Sequence, residues 1–187
     1  AAGTESQLEQ QFFALLNAER AQKSLPGLAR DARIDRVAVD WSQRMANTFV
    51  ETDLVTDPVA PADCARSSLC HRPDLVTQLN VAFPDWSVVG ENVGVGGTVA
   101  AINDAFLASR THQENIVGSY NAAGVGVIIG SGRIWVTVDF VNSPALVPPV
   151  QAARATNIPS AAVVGGLTTL GDFRVRAVSP VRVIDTR

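Results

Sequence analysis

Between Glu5 and Lys23, Leu8, Phe12, Leu15 and Leu16 fall on one helical stripe that Phe13 flanks, while most Glu and Gln side chains lie elsewhere. Leu25-Pro26-Gly27 ends that helix. A second helix is predicted from near Asp31, where Ile34, Val37, Ala38, Trp41 and Met45 recur at helical spacing. Asp31 can supply the oxygen that caps its first N–H groups. A loop of about 25 residues with Pro58, Pro61 and both cysteines follows, a length usual for functional or disordered segments. A short helical stretch is expected after Pro73, and a third amphipathic helix after Thr98, carrying Val99, Ile102, Ala105 and Phe106. The period then drops to two. Gly124 to Ile129 and Ile134 to Val141 read as strands, and Gly130-Ser131-Gly132 between them makes a hairpin. In the second, Ile134, Val136, Val138 and Phe140 alternate with Trp135, Thr137, Asp139 and Val141. Helices first and a hairpin last indicate an α+β fold with helices covering an antiparallel sheet.

After Val141 the pattern weakens. Ser143-Pro144-Ala145-Leu146-Val147-Pro148-Pro149 can continue neither strand nor helix, because proline lacks the N–H donor. Ten basic and 16 acidic residues precede this point, and five Arg and two Asp follow it. One domain over 1–141 is therefore expected, with 142–187 a Pro-rich linker and β-prone extension that alternates weakly around Phe173-Arg174-Val175-Arg176. The ending Ser179-Pro180-Val181-Arg182-Val183-Ile184-Asp185-Thr186-Arg187 resembles the opening of β-rich repeats in actinobacterial cell-wall proteins, which suggests the start of a further repeat.

Composition narrows the function more by exclusion than by assignment. The 187 residues carry a net charge of −3 and no basic cluster, which argues against a nucleic-acid partner. No apolar run approaches the roughly 20 residues that span a bilayer. The small, uncharged start Ala1-Ala2-Gly3-Thr4 leads to the expectation of a secreted or cell-wall-associated chain whose signal peptide has been removed. Cys64 and Cys70 have no second CxxC pair, so a local disulfide is favoured over zinc clustering, with two free thiols as the alternative.

Histidine chemistry can draw only on His71 and His112. His71 follows Cys70 in a constrained polar loop. Glu91, in Val89-Gly90-Glu91-Asn92-Val93-Gly94, is a carboxylate among apolar and glycine neighbours and needs a partner if buried. His112 stands just past the third helix. Gaps of 20 and 21 residues exclude a single-helix metal motif, so a shared site would be assembled from three separate elements. Gly94-Val95-Gly96-Gly97 lacks the lysine of a phosphate loop and reads as a turn.

The order of short motifs adds a resemblance. Asn17-Ala18-Glu19-Arg20, Leu28-Ala29-Arg30-Asp31, His71-Arg72-Pro73-Asp74-Leu75, Gly90-Glu91-Asn92-Val93-Gly94, Ser109-Arg110-Thr111-His112-Gln113-Glu114-Asn115-Ile116 and Gly124-Val125-Gly126-Val127 follow one another along the chain. Together they resemble the bacterial branch of the CAP superfamily, the SCP-like extracellular domains, over roughly Gln7 to Val141. The resemblance implies a three-layer α-β-α sandwich with a central antiparallel sheet and a cleft lined by two histidines and one or two acids. His71 and His112 would be the cleft histidines and Glu91 the acid, with Asn92 and Ser109 beside them. Animal and plant members carry a second Glu three residues after a helical Trp. Phe106 and Ser109 stand at those positions here, so the acid complement is reduced, and Glu114 is its only nearby substitute. His71, His112 and Glu91 would suit Zn²⁺ or another divalent cation with an open position. The expected function is a secreted, monomeric binding or interaction module for a small hydrophobic, glycan or protein ligand. A metal-dependent hydrolase of cell-wall or peptide substrates and a purely structural extracellular domain are the alternatives, and a Ser109–His112 triad has no acid to orient it.

Overall fold

The computed structural model describes residues 2–48, 64, 68–146 and 176–184. Five helices and five strands follow in the order α1 (Ala2–Gln22), β1 (Ala29–Arg30), α2 (Ala32–Asn47), α3 (Leu75–Ala82), β2 (Val88–Gly96), α4 (Val99–Ala108), α5 (Arg110–Ile116), β3 (Ala122–Gly130), β4 (Arg133–Asn142) and β5 (Arg176–Ile184). The strands form one sheet in the order β1-β3-β4-β2-β5. It is antiparallel throughout apart from the two-residue β1, which runs parallel to β3. Helices α1, α4 and α5 cover one face and α2 and α3 the other. The expected α+β class and three-layer α-β-α sandwich are thus the observed architecture.

The local signals act as the sequence predicts at most ends. Asp31 accepts from the Arg33 N–H at 2.8 Å and Thr98 from the Ala101 N–H at 3.1 Å, so α2 and α4 begin on side-chain caps. Ser131 and Gly132 have φ of 53° and 69°, the paired positive values of a tight hairpin turn whose twist matches its strands. Phe12 and Leu16 of the α1 stripe pack with Ile102, Phe106, Val136 and Phe140 on one face. Trp41 and Met45 of α2 pack with Val93, Val95 and Trp135 on the other.

One expectation is corrected. Gly94-Val95-Gly96 is not a turn but the end of β2, which is buried along its whole length. Covered on both faces, β2 shows no polar–apolar alternation, the pattern that would have marked it as a strand. A Cβ on Gly94 would stand 2.9 Å from Ile102 and 3.1 Å from Phe106, so glycine lets α4 lie close to the strand.

Packing also continues past Val141. Asn121 donates to the Ser143 and Leu146 carbonyls at 2.7 and 2.8 Å, and Leu146 is buried. Beyond it, β5 pairs antiparallel with β2, with a register shift between Glu91 and Val93 at the Ser179-Pro180 step. A proline there fits an edge strand and a bulge. Phe173 to Val175 and residues 185–187 lie outside the described residues.

The motif residues of the first two elements are structural. The Asn17 side chain clamps Leu28, accepting its N–H at 2.7 Å and donating to its carbonyl at 3.2 Å. The buried Arg20 guanidinium donates to the carbonyls of Pro26, Ile116, Gly118 and Tyr120 at 2.8–3.3 Å. It therefore ties α1 to the turn after α5.

Helix α2 comes very close to β3. A Cβ on Gly126 would lie 2.3 Å from the Ala38 carbonyl carbon and the Val39 nitrogen, and one on Gly124 at 2.3 Å from Ile34 and Asp35 backbone atoms. Gly126→Ala would push α2 outward and is expected to lower unfolding stability by about 3 kcal/mol, the upper end of overpacking costs. Urea unfolding of both proteins measures this, and an unchanged midpoint would mean that α2 is not seated by contact.

Candidate functional site

His71 is held by the residues on either side of it. Cys64 and Cys70 form the expected disulfide, and the Trp41 indole N–H donates to the Cys70 carbonyl at 2.8 Å. Arg72 donates to the Val37 carbonyl of α2 at 3.0 Å and pairs with Asp40 and Asp74 at 2.9 Å each. Its guanidinium carbon lies 5.6 Å from the centre of the Trp41 ring. The two aspartates are largely solvated, so the carbonyl bond and the packing on Trp41 hold the arginine more firmly than the ion pairs do. Both neighbours of His71 are thereby fastened to α2.

Across from this loop stands Glu91 of β2, fully buried. The partner its burial demands is His71, whose Nδ1 lies 2.6 Å from Glu91 Oε1, and the Arg72 N–H donates to the same oxygen at 3.0 Å. An Nδ1–H tautomer makes the imidazole the donor. Among the described residues Glu91 Oε2 has no hydrogen-bond partner, and neither has either oxygen of Asp139, also fully buried. Asp139 is the residue directly opposite Glu91 in the β2–β4 ladder. Burial first and the Glu91 charge second push the Asp139 carboxyl well above the usual carboxylate range, and Arg72 offsets part of this.

His112 lies on the other side of the sheet. Its ring stacks on Phe106 of α4, with centroids 4.9 Å apart and planes within 7°, and its Nδ1 is 2.7 Å from Ser109 Oγ. Phe106 packs over Gly94, on the face opposite Glu91. Asn92, next to Glu91 and pointing the other way, donates to the His112 carbonyl at 3.1 Å. Asn115 donates to Asn92 Oδ1 at 3.0 Å and to the Glu91 carbonyl at 3.3 Å, and accepts from the Tyr120 hydroxyl at 3.2 Å. Glu114 is exposed and pairs with Arg110 at 2.9 Å, while Gln113 donates to Glu19 at 3.3 Å, so neither replaces a missing cleft acid.

The five residues expected in one cleft therefore fall into two groups. His71 meets Glu91; Asn92, Ser109 and His112 gather behind β2 with Phe106. The reason is the pleat: consecutive residues of a strand face opposite ways. Among the described residues no three His, Cys, Asp or Glu side chains come together as a metal would require. The donors of His71, Glu91 and His112 thus do not fit a shared Zn²⁺ or other divalent ion. Dialysis against Zn²⁺ followed by metal analysis should give the same retention for the protein and for a His71→Ala/His112→Ala double variant; a full equivalent lost only in the variant would contradict the division.

Sequence reasoning missed Asp139 and the role of Arg72. A charged residue at the third of four positions in Trp135, Thr137, Asp139 and Val141 was the available signal, since its neighbours on that face are apolar or uncharged.

Two solved structures are similar to this chain in fold. One is an extracellular protein containing an SCP domain from Bacillus anthracis, 23% identical with a TM-score of 0.54, the match covering 74% of this chain and 41% of that one. The other is an outer surface protein from Borrelia burgdorferi, 13% identical with a TM-score of 0.52, covering 72% of this chain and 91% of that one. This chain accordingly matches only about two-fifths of the length of the Bacillus anthracis protein. No family model and no curated protein matches the chain.

Proposed function

The chain has an SCP-like fold of the CAP type, and we propose that it serves as an extracellular binding module whose ligand-contacting surface surrounds His71. The observation that carries this reading is the His71–Glu91 pair at 2.6 Å, a partly accessible imidazole backed by a fully buried carboxylate. Such a pair fixes the ring and its tautomer, and so presents a polar group of defined orientation. Next to Arg72 an open groove of about 360 Å³ runs between α2 and α3, lined among others by Arg33, Arg36, Arg72, Asp40, Val81 and Ala82. Arg33 and Arg72 are paired to Asp31 and Asp40, and Arg36 forms no ion pair among the described residues. Guanidinium groups beside Val81, 83% exposed, offer a surface for a ligand with both a polar or anionic group and an apolar part. The disulfide, together with neighbours described as extracellular and outer-surface proteins, supports export. A hydrolase reading has no such support, since no set of donors for its metal assembles among the described residues. Residues 1–141 would form the module and the remainder an extension that lends it β5.

Binding to a panel of anionic lipid vesicles and soluble glycans, compared across variants, tests the reading. His71→Ala and Arg36→Ala are each expected to weaken binding about tenfold or more, the scale of one lost charge-assisted contact. Binding that survives both but is lost in His112→Ala would move the ligand to the opposite face, and binding by none of the probes to any variant would count against a module for these ligands.

A further inference from the structure

Glu91 and Asp139 are cross-strand partners, both wholly buried. Three of their four carboxyl oxygens lack a hydrogen-bond partner among the described residues, while the fourth, Glu91 Oε1, is occupied by His71 and Arg72. Two carboxylates facing one another in a low-dielectric interior cannot both stay ionised, and one proton between them supplies a hydrogen bond as well as removing a charge. We propose that Glu91 and Asp139 hold a single proton, with Asp139 as the acid donating its O–H to Glu91 Oε2, so that a buried acid pair stands behind His71.

Every side of the pair supports that state. On β3 the residue paired with Asp139 is Gly124, which adds no side chain and lets the α2 backbone close over the site. On β5 the position in register with Glu91 is Val181. Among the described residues the cation near the pair is Arg72, itself shared with Asp40 of α2 and with Asp74, while the His71 imidazole hydrogen-bonds Glu91 Oε1. One guanidinium divided among several acids balances one buried negative charge better than two. Asp139 would then be a positioning residue: by filling Oε2 it leaves Glu91 Oε1 to His71 and Arg72 and keeps the site at one negative charge. The pair is independent of which ligand the module takes.

The sign of the pH effect follows from linkage. Unfolded, Asp139 ionises near its ordinary value; folded, it keeps the proton to higher pH. Its contribution to stability is complete below the unfolded value and is lost as pH rises through the folded one. Asp139→Asn retains a donor toward Glu91 Oε2 and cannot ionise. Its folding constant relative to the unmodified protein should rise by about tenfold per pH unit across that window, and level off below about pH 4. A ratio independent of pH would overturn the proposal. The direct measurement is a ¹³C carboxyl titration of the whole chain by nuclear magnetic resonance, which does not depend on any variant folding. It should show Asp139 protonated at pH 7, and losing its proton at lower pH in Glu91→Gln than in the unmodified chain; two ionised carboxylates at pH 7 in the unmodified chain would refute it. A purely steric role for Asp139 would move neither the pH slope nor the titration.

Discussion

The seating of α2 on β3 is the contact from which the rest of the site follows. Gly124 and Gly126 let the helix backbone come within a distance that any side chain would forbid. That fixes where Trp41 and Val37 stand, and these two hold the Cys70 carbonyl and the Arg72 guanidinium. His71 lies between the two held residues and so faces Glu91. The disulfide tightens the same loop from the other end. A helix placed an ångström further out would leave the imidazole without its acid. The site thus depends on the packing of α2 as well as on its own hydrogen bonds.

How much of this was legible depends on the local signals that bound an element. Helix α2 could be read from its helical stripe and the Asp31 cap, and the hairpin from its Gly130-Ser131-Gly132 turn, although β3 and β4 are buried on both faces. Strand β2, equally buried but without such a turn or a polar face, could not. The pairing of β5 with β2 was also out of reach, since the sequence shows a β-prone segment but not which edge it joins. Within the site, Glu91 was recognised as an acid that must find a partner, and it did. Asp139 went unremarked although it broke an apolar row, because alternation alone cannot say whether such a face is wet.

Motif order and spatial grouping also proved to be different kinds of information. The ordered run of short motifs pointed to the right architecture. It did not bring His112 to Glu91, because Glu91 and Asn92 are adjacent in sequence and opposite in space. Several motif residues serve the scaffold instead. Arg20 gathers four carbonyls where α1 meets the turn after α5, and Asn17 locks Leu28. A buried guanidinium saturated in this way is costly to replace by lysine, which cannot fan its donors to four acceptors.

The two margins of the sheet differ in length but share a property. At one, β1 pairs with β3 over only two residues. At the other, β5 carries Pro180, which has no N–H to offer, at a break in register. Along the rest of β3 the Val125, Val127 and Ile129 N–H groups donate to Asp35, Glu9 and Glu5, so among the described residues neither margin presents a long, regular row of free donors onto which another strand could add. A sheet rich in valine is in this way guarded at both margins against the addition of a further strand.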